Sequence, residues 1–132
     1  MPDSELIVDF EFSDHKMNEE QFKARTRQLA LEIISLVESL PRGQTAGVIG
    51  RQLLRSGTSI GANYRAACRG KSKADVISKL AIVEEEADET VYWLELLIES
   101  KIVEPSRVNL LLKETNEIVA MVVASIKTLR GR

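Results

Sequence analysis

The chain has 132 residues, 44% of them hydrophobic and only 5% aromatic, with a formal net charge of −2. That length suits one domain with one core, and the dominance of Ala, Leu, Ile, Val, Glu, Lys and Arg favours an all-helical fold. A single cysteine, Cys68, excludes an intrachain disulfide; no apolar run reaches the ~18 to 20 residues of a membrane span, and no cationic leader opens the chain, so the expected protein is soluble and cytoplasmic.

Residues 1–17 form an acidic arm without helical period, and residues 18–132 the bundle domain. Within the arm, Leu6, Val8, Phe10 and Phe12 alternate as in a strand. A lone strand has no partner here, so the arm is expected to pack on the domain or stay loose. The first helix should start at Asn18, whose side chain can cap the free amides, with Gln21 completing a capping box. Phe22, Thr26, Leu29, Ile33, Leu36 and Leu40 follow a heptad seam, and Ala30, Ile34 and Val37 widen it into a core face. Pro41 and Gly43 then stop the helix.

A second helix is predicted over 46–68. One row runs through Ile49, Leu53, Ser56, Ile60, Asn63 and Ala67, the other through Gly50, Leu54, Gly57, Gly61, Tyr64 and Cys68. The third should start at Ser72, with Asp75 as its capping-box partner, and extend to about Lys101. Its inner positions are Ile77, Leu80, Ala87, Val91, Leu94 and Ile98. Pro105 suits the first turn of a fourth helix, whose apolar positions run from Val108 to Leu129. Four long helices with short connections predict an all-α, antiparallel up-down-up-down four-helix bundle.

Charge along this frame is segregated. Residues 1–20 carry seven acids and one base, residues 51–79 seven bases and one acid, and residues 80–100 seven acids and no base. Such blocks either compensate one another inside the fold or mark a basic face for a polyanion. The basic block supplies the candidate nucleic-acid contacts: Arg51, Arg55, Arg65, Arg69, Lys71, Lys73 and Lys79.

The stretch GTSIGAN, residues 57–63, resembles a phosphate loop only in its glycines. A P-loop needs a preceding strand and a lysine after the last glycine, and both are missing. In helical register Gly57 and Gly61 fall on one face, and each costs about 1 kcal/mol relative to alanine. A close approach of another backbone offsets that loss, either within the monomer or between subunits. Asn63 lies on an apolar row and needs a partner; Glu86 and Glu89, three apart on one helix face, can meet Arg51, Arg55 or Asn63. Ser56, Ser59, Asn63, Glu86, Glu89 and Trp93 are therefore candidates for a structural polar network or an oligomer contact. A di-metal centre needs histidines on the helices, but His15, the sole histidine, stands in the arm. No catalytic residue, metal ligand or cofactor is assigned; the chain is expected not to be an enzyme.

With these residues in view, QLLRSGTSIGANYRAA and SKADVISKLAIVEEEADETVYWLELL resemble the four helix bundle protein family, also called the 23S rRNA intervening-sequence protein family. The resemblance covers about Leu29 to Leu129. Its pattern is met at Arg55, Ser56, Ser59, Ile60, Asn63, Arg65, Glu86, Glu89, Thr90, Trp93 and Leu94. It departs at Ala66, where the family often has Glu, and at Val76, where it often has an aromatic; losing the acid leaves Arg65 and Arg69 less neutralised. The resemblance implies a bacterial cytoplasmic protein assembling into a ring-shaped homo-oligomer, a pentamer, with no enzymatic activity. A related fold serves diversity-generating retroelements as a basic pentamer that binds nucleic acid and a reverse transcriptase; the acidic arm and a pI near 5.5 depart from those relatives. The expected function is self-assembly with binding of RNA or a nucleoprotein partner. The alternative is a protein-interaction scaffold without nucleic-acid binding.

Overall fold

The computed structural model describes residues 10–12 and 15–132. The order of elements is β1 (Phe10–Phe12), β2 (His15–Met17), α1 (Glu19–Glu38), α2 (Gln44–Cys68), α3 (Lys73–Glu99) and α4 (Pro105–Arg130). Consecutive helices pack against each other, giving the expected four-helix bundle.

The arm departs from expectation. Phe10–Phe12 does have a partner: it pairs antiparallel with His15–Met17, in the register Phe10 to Met17, Glu11 to Lys16 and Phe12 to His15. In the sequence, His15–Met17 shows no alternation strong enough to mark a strand. β1 lies beside α4. Leu6 and Val8, the rest of the alternating pattern, lie outside the described residues.

The helix boundaries follow local chemistry. Asn18 and Gln21 form the reciprocal capping box, with the Gln21 N–H donating to Asn18 Oδ1 at 2.8 Å and the Asn18 N–H to Gln21 Oε1 at 3.0 Å. At α3 the Asp75 N–H donates to Ser72 Oγ at 3.1 Å, but the Asp75 carboxylate accepts from the Lys71 N–H at 3.0 Å. The box is thus displaced one residue outward. That backbone bond, helped by Lys79, holds the Asp75 carboxyl below its ordinary range against the opposing effect of burial. α3 ends at Glu99, two residues short of the expected Lys101, because Lys101 takes a left-handed conformation (φ 64°). The Ile102 N–H then donates to the Leu97 carbonyl at 3.1 Å and the Lys101 N–H to that of Ile98 at 2.9 Å, a Schellman closure. Pro105 occupies the first turn of α4 as expected.

The core contains Phe22, Leu29, Ile33, Leu53, Ile60, Tyr64, Leu80, Leu94, Leu97, Ile118 and Leu129, all essentially without solvent exposure. Buried threonines are tolerated because their hydroxyls bond within their own helices, Thr26 to the Lys23 carbonyl and Thr115 to that of Leu111. Ile34 is the exception on α1: expected on the core face, it is exposed. The glycines of α2 explain why the buried stripe is so narrow. Gly50 sits against Val37 and Leu40, Gly57 against Ile33, and Gly61 against Thr26, so α1 seats closely on α2 through its heptad seam and Val37. The close approach is thus made within the chain.

α1 also meets α4, and charged side chains link the two. Arg25 Nη2 donates to Glu114 at 2.8 Å and to Glu117 at 2.9 Å, while Nη1 reaches Met121 Sδ at 3.3 Å. At the other end of the seam, Arg107 donates to Ser39 Oγ.

Candidate nucleic-acid interface and polar cluster

Arg51, Arg55, Thr58, Ala62, Arg65 and Arg69 follow a 4-3-4-3-4 spacing, so they share one outward stripe of α2. Arg51, Arg65 and Arg69 are exposed, as is Lys71 in the turn before α3; Lys73 is half-buried at the start of α3. Among the described residues, none of these five has a carboxylate at ion-pair distance. The other two candidate bases differ. Lys79 pairs with Asp75 one turn earlier, at 3.0 Å. Arg55 turns toward α3, donating from Nη1 to Glu86 at 3.1 Å and from Nη2 to Glu89.

Arg55 is the centre of a polar cluster on the α2–α3 seam. Its guanidinium holds the Glu89 carboxyl below the ordinary glutamate range, against the effect of burial. Trp93 Nε1 adds a second donor to Glu89 at 3.1 Å, and the Trp93 ring meets Tyr92 edge-on with centroids 5.0 Å apart. Beneath the charges lies a buried hydroxyl pair. Thr90 Oγ1 is 2.9 Å from Ser56 Oγ across the seam and 2.8 Å from the Glu86 carbonyl. The structure therefore brings together Ser56, Glu86, Glu89 and Trp93, with Arg55 and Thr90. It ties Ser59 and Asn63 to α2 instead: Ser59 Oγ donates to the Arg55 carbonyl at 2.6 Å and Asn63 Nδ2 to that of Ser59 at 2.8 Å.

Thr90→Val is expected to cost about 1–2 kcal/mol, because it keeps the side-chain shape but leaves Ser56 Oγ with only a 3.4 Å contact to the Leu53 carbonyl. Chemical denaturation measures the loss. Adding Ser56→Ala should recover part of it, and a double variant as unstable as the sum of the singles would contradict the pairing.

The remaining reactive groups are quiet. Cys68 is buried, and desolvation pushes its thiol up to about 12, which disfavours the thiolate that a nucleophile requires. Burial likewise pushes up the Tyr64 phenol. Among the described residues no group of three or more His, Cys, Asp or Glu is placed to hold a metal ion, and no helix is long and apolar enough to cross a membrane.

A groove that the sequence reading did not anticipate runs between α1 and α2. Lys23, Thr26, Arg27 and Ala30 line it from α1, and Thr58, Gly61, Ala62 and Arg65 from α2, around a cavity of about 220 Å³.

Fold and site together define an all-helical bundle protein whose second and third helices are joined by a polar cluster and whose second helix presents an arginine stripe. The chain belongs to the 23S rRNA-intervening sequence protein family, whose pattern matches residues 18–124. It is similar to a solved structure from Bacteroides thetaiotaomicron, described as a protein with unknown function from the S23 ribosomal protein family. The two share 38% identity over 83% of this chain and 97% of the other, with a TM-score of 0.76. No curated protein matches the chain.

Proposed function

We infer that the protein is a non-catalytic, cytoplasmic four-helix-bundle protein that self-assembles into a ring of identical copies, a pentamer, and binds RNA, alone or within a nucleoprotein partner. The observation that supports this reading best is the set of five bases, Arg51, Arg65, Arg69, Lys71 and Lys73, without carboxylate partners among the described residues. A chain of net charge −2 that leaves its bases unpaired on one side concentrates positive potential there. The family's name, which refers to an intervening sequence of 23S rRNA, is consistent with an RNA partner. Self-assembly is supported by exposed apolar side chains on the two helices that carry the cluster, Val48 of α2 and Ile82 and Tyr92 of α3. Exposed apolar groups beside a polar cluster are a common makeup of subunit contacts.

The test is solution mass by multi-angle light scattering together with single-stranded RNA binding across a salt series. Five phosphate contacts predict a slope of log affinity on log salt near about −3.5, a loss of about a hundred-fold between 50 and 200 mM salt. A monomeric mass removes the assembly, and no RNA retention at low salt removes the RNA reading.

A second reading is favoured by Arg55, whose charge is taken up by Glu86 and Glu89 of the same chain. On that reading the basic and acidic blocks compensate each other and the protein is an interaction scaffold. A ring whose mass is indifferent to RNA at every salt concentration would select it.

A further inference from the structure

We propose that the groove between α1 and α2 is a phosphodiester site, in which a backbone phosphate of bound RNA sits between Arg27 of α1 and Arg65 of α2. The inference rests on the RNA-binding reading and deepens it by naming a site that includes α1.

Four observations converge on it. The first is shape: the cavity of about 220 Å³ falls below the ~300–1,000 Å³ of small-molecule pockets, so it suits one charged group rather than a whole cofactor. Gly61 lines it where α1 and α2 come close: a Cβ there would stand 3.1 Å from Thr26 Oγ1. The second is charge. No lining residue is acidic, and Arg27 and Arg65 are both exposed, with no ion-pair partner among the described residues. Lys23, at the α1 side, is partly compensated by Glu19 at 3.3 Å and Glu20 at 3.4 Å, which places the stronger attraction at the two arginines. The third is donor supply. Thr26 donates its hydroxyl proton to the Lys23 carbonyl and Thr58 to that of Leu54. With both hydroxyls committed, hydrogen bonds to an anion come from the guanidinium forks, whose geometry matches phosphate oxygens, with the Lys23 ammonium at the α1 side as a further donor.

The fourth is continuity. Arg65 belongs both to the groove and to the outward stripe of α2, so a strand crossing from groove to stripe meets Arg65 and then Arg69 one turn on. A polymer of regularly spaced phosphates uses both, whereas an isolated anion gains nothing from the stripe.

The experiment measures binding of a labelled single-stranded RNA to the full chain by fluorescence anisotropy across a salt series. Three proteins are compared: wild type, Arg27→Gln/Arg65→Gln, and a charge-matched control, Lys113→Gln/Lys127→Gln, on exposed positions of α4. The groove variant is expected to lose about ten-fold in affinity at low salt and to flatten the salt slope by about 1.4, with the control changing much less. Equal losses in the two variants would overturn the groove while leaving RNA binding intact. Absence of wild-type binding would instead remove the RNA reading itself, and the groove assignment with it. Inorganic phosphate, added at constant ionic strength, should compete only weakly. Displacement as complete as that by unlabelled RNA would make the groove a site for free phosphate and overturn the assignment to a polymer.

Discussion

Tyr64→Ala should be the most damaging single truncation in the α1–α2 interface, lowering stability by about 3–5 kcal/mol. Tyr64 has no solvent exposure and is among the largest fully buried side chains. Its ring meets Phe22 edge-on, with centroids 4.6 Å apart and planes at 64°, an arrangement worth about 0.5–1.5 kcal/mol beyond the area buried. Phe22 stands one turn into α1, so this pair fastens the start of α1 to the last third of α2. A domain of ordinary stability has about 5–15 kcal/mol in all, so the loss is a large share, and the melting temperature should fall by about 15 °C. Tyr64→Phe should cost far less, since it keeps the ring and the cavity stays filled. Thermal and denaturant unfolding of both variants separates ring from hydroxyl. A Tyr64→Ala variant within about 1 kcal/mol of wild type would mean that α1 can close onto α2 without this anchor.

The same interface shows what the sequence could and could not reveal. Features ruled by neighbours a few residues apart were legible. Asn18 with Gln21, Ser72 with Asp75, and Pro105 mark helix starts through local hydrogen bonding and a fixed φ, and the structure has helix starts there. The end of α3 was less legible because its left-handed residue is Lys101 rather than glycine, and the usual stop signal was missing. The partner of β1 was hidden for a related reason: a three-residue strand is too short to show alternation.

Contacts between distant segments were harder to read. Glu86 and Glu89 could be matched with bases of the preceding helix because both stretches fall on adjacent elements in a bundle. Choosing Arg55 over Arg51 required the rotation of α2 about its axis, which places Arg55 toward α3. Arg25 was missed altogether. Its partners Glu114 and Glu117 are about ninety positions away, and nothing local to either helix distinguishes them from a solvated acidic face. Arg27 and Lys23 do not stand out in the charge blocks along the chain, because the groove takes its bases from two helices. A reading that lined up the outer positions of α1 and α2 in antiparallel register would have paired Arg27 with Arg65.

Gly57→Val should destabilise the fold by about 2 kcal/mol, and Ile33→Ala should cost less in that background than in the wild-type chain. A Cβ at position 57 would fall 2.4 Å from Ile33 Cδ1 and 3.1 Å from its Cγ2, and Ile33 itself has no solvent exposure, so it cannot swing away without displacing the core. Two effects oppose each other. Replacing a mid-helix glycine by β-branched valine gains only about 0.3 kcal/mol of helix propensity, while overpacking a filled core costs about 1–3 kcal/mol or occasionally more. A branched side chain adds two methyl groups to the clash, so the second effect wins. Ile33→Ala alone should cost about 2–5 kcal/mol as a cavity, but in the double variant the valine occupies the space that the isoleucine vacates. The two changes should then couple favourably by about 1–3 kcal/mol. Denaturation of the four proteins in the cycle gives that coupling directly, and strictly additive losses would mean that the glycine serves some purpose other than admitting Ile33. The cycle also bears on function, since α1 approaches α2 closely at Gly57, about two turns before Arg65, which lines the groove together with Arg27.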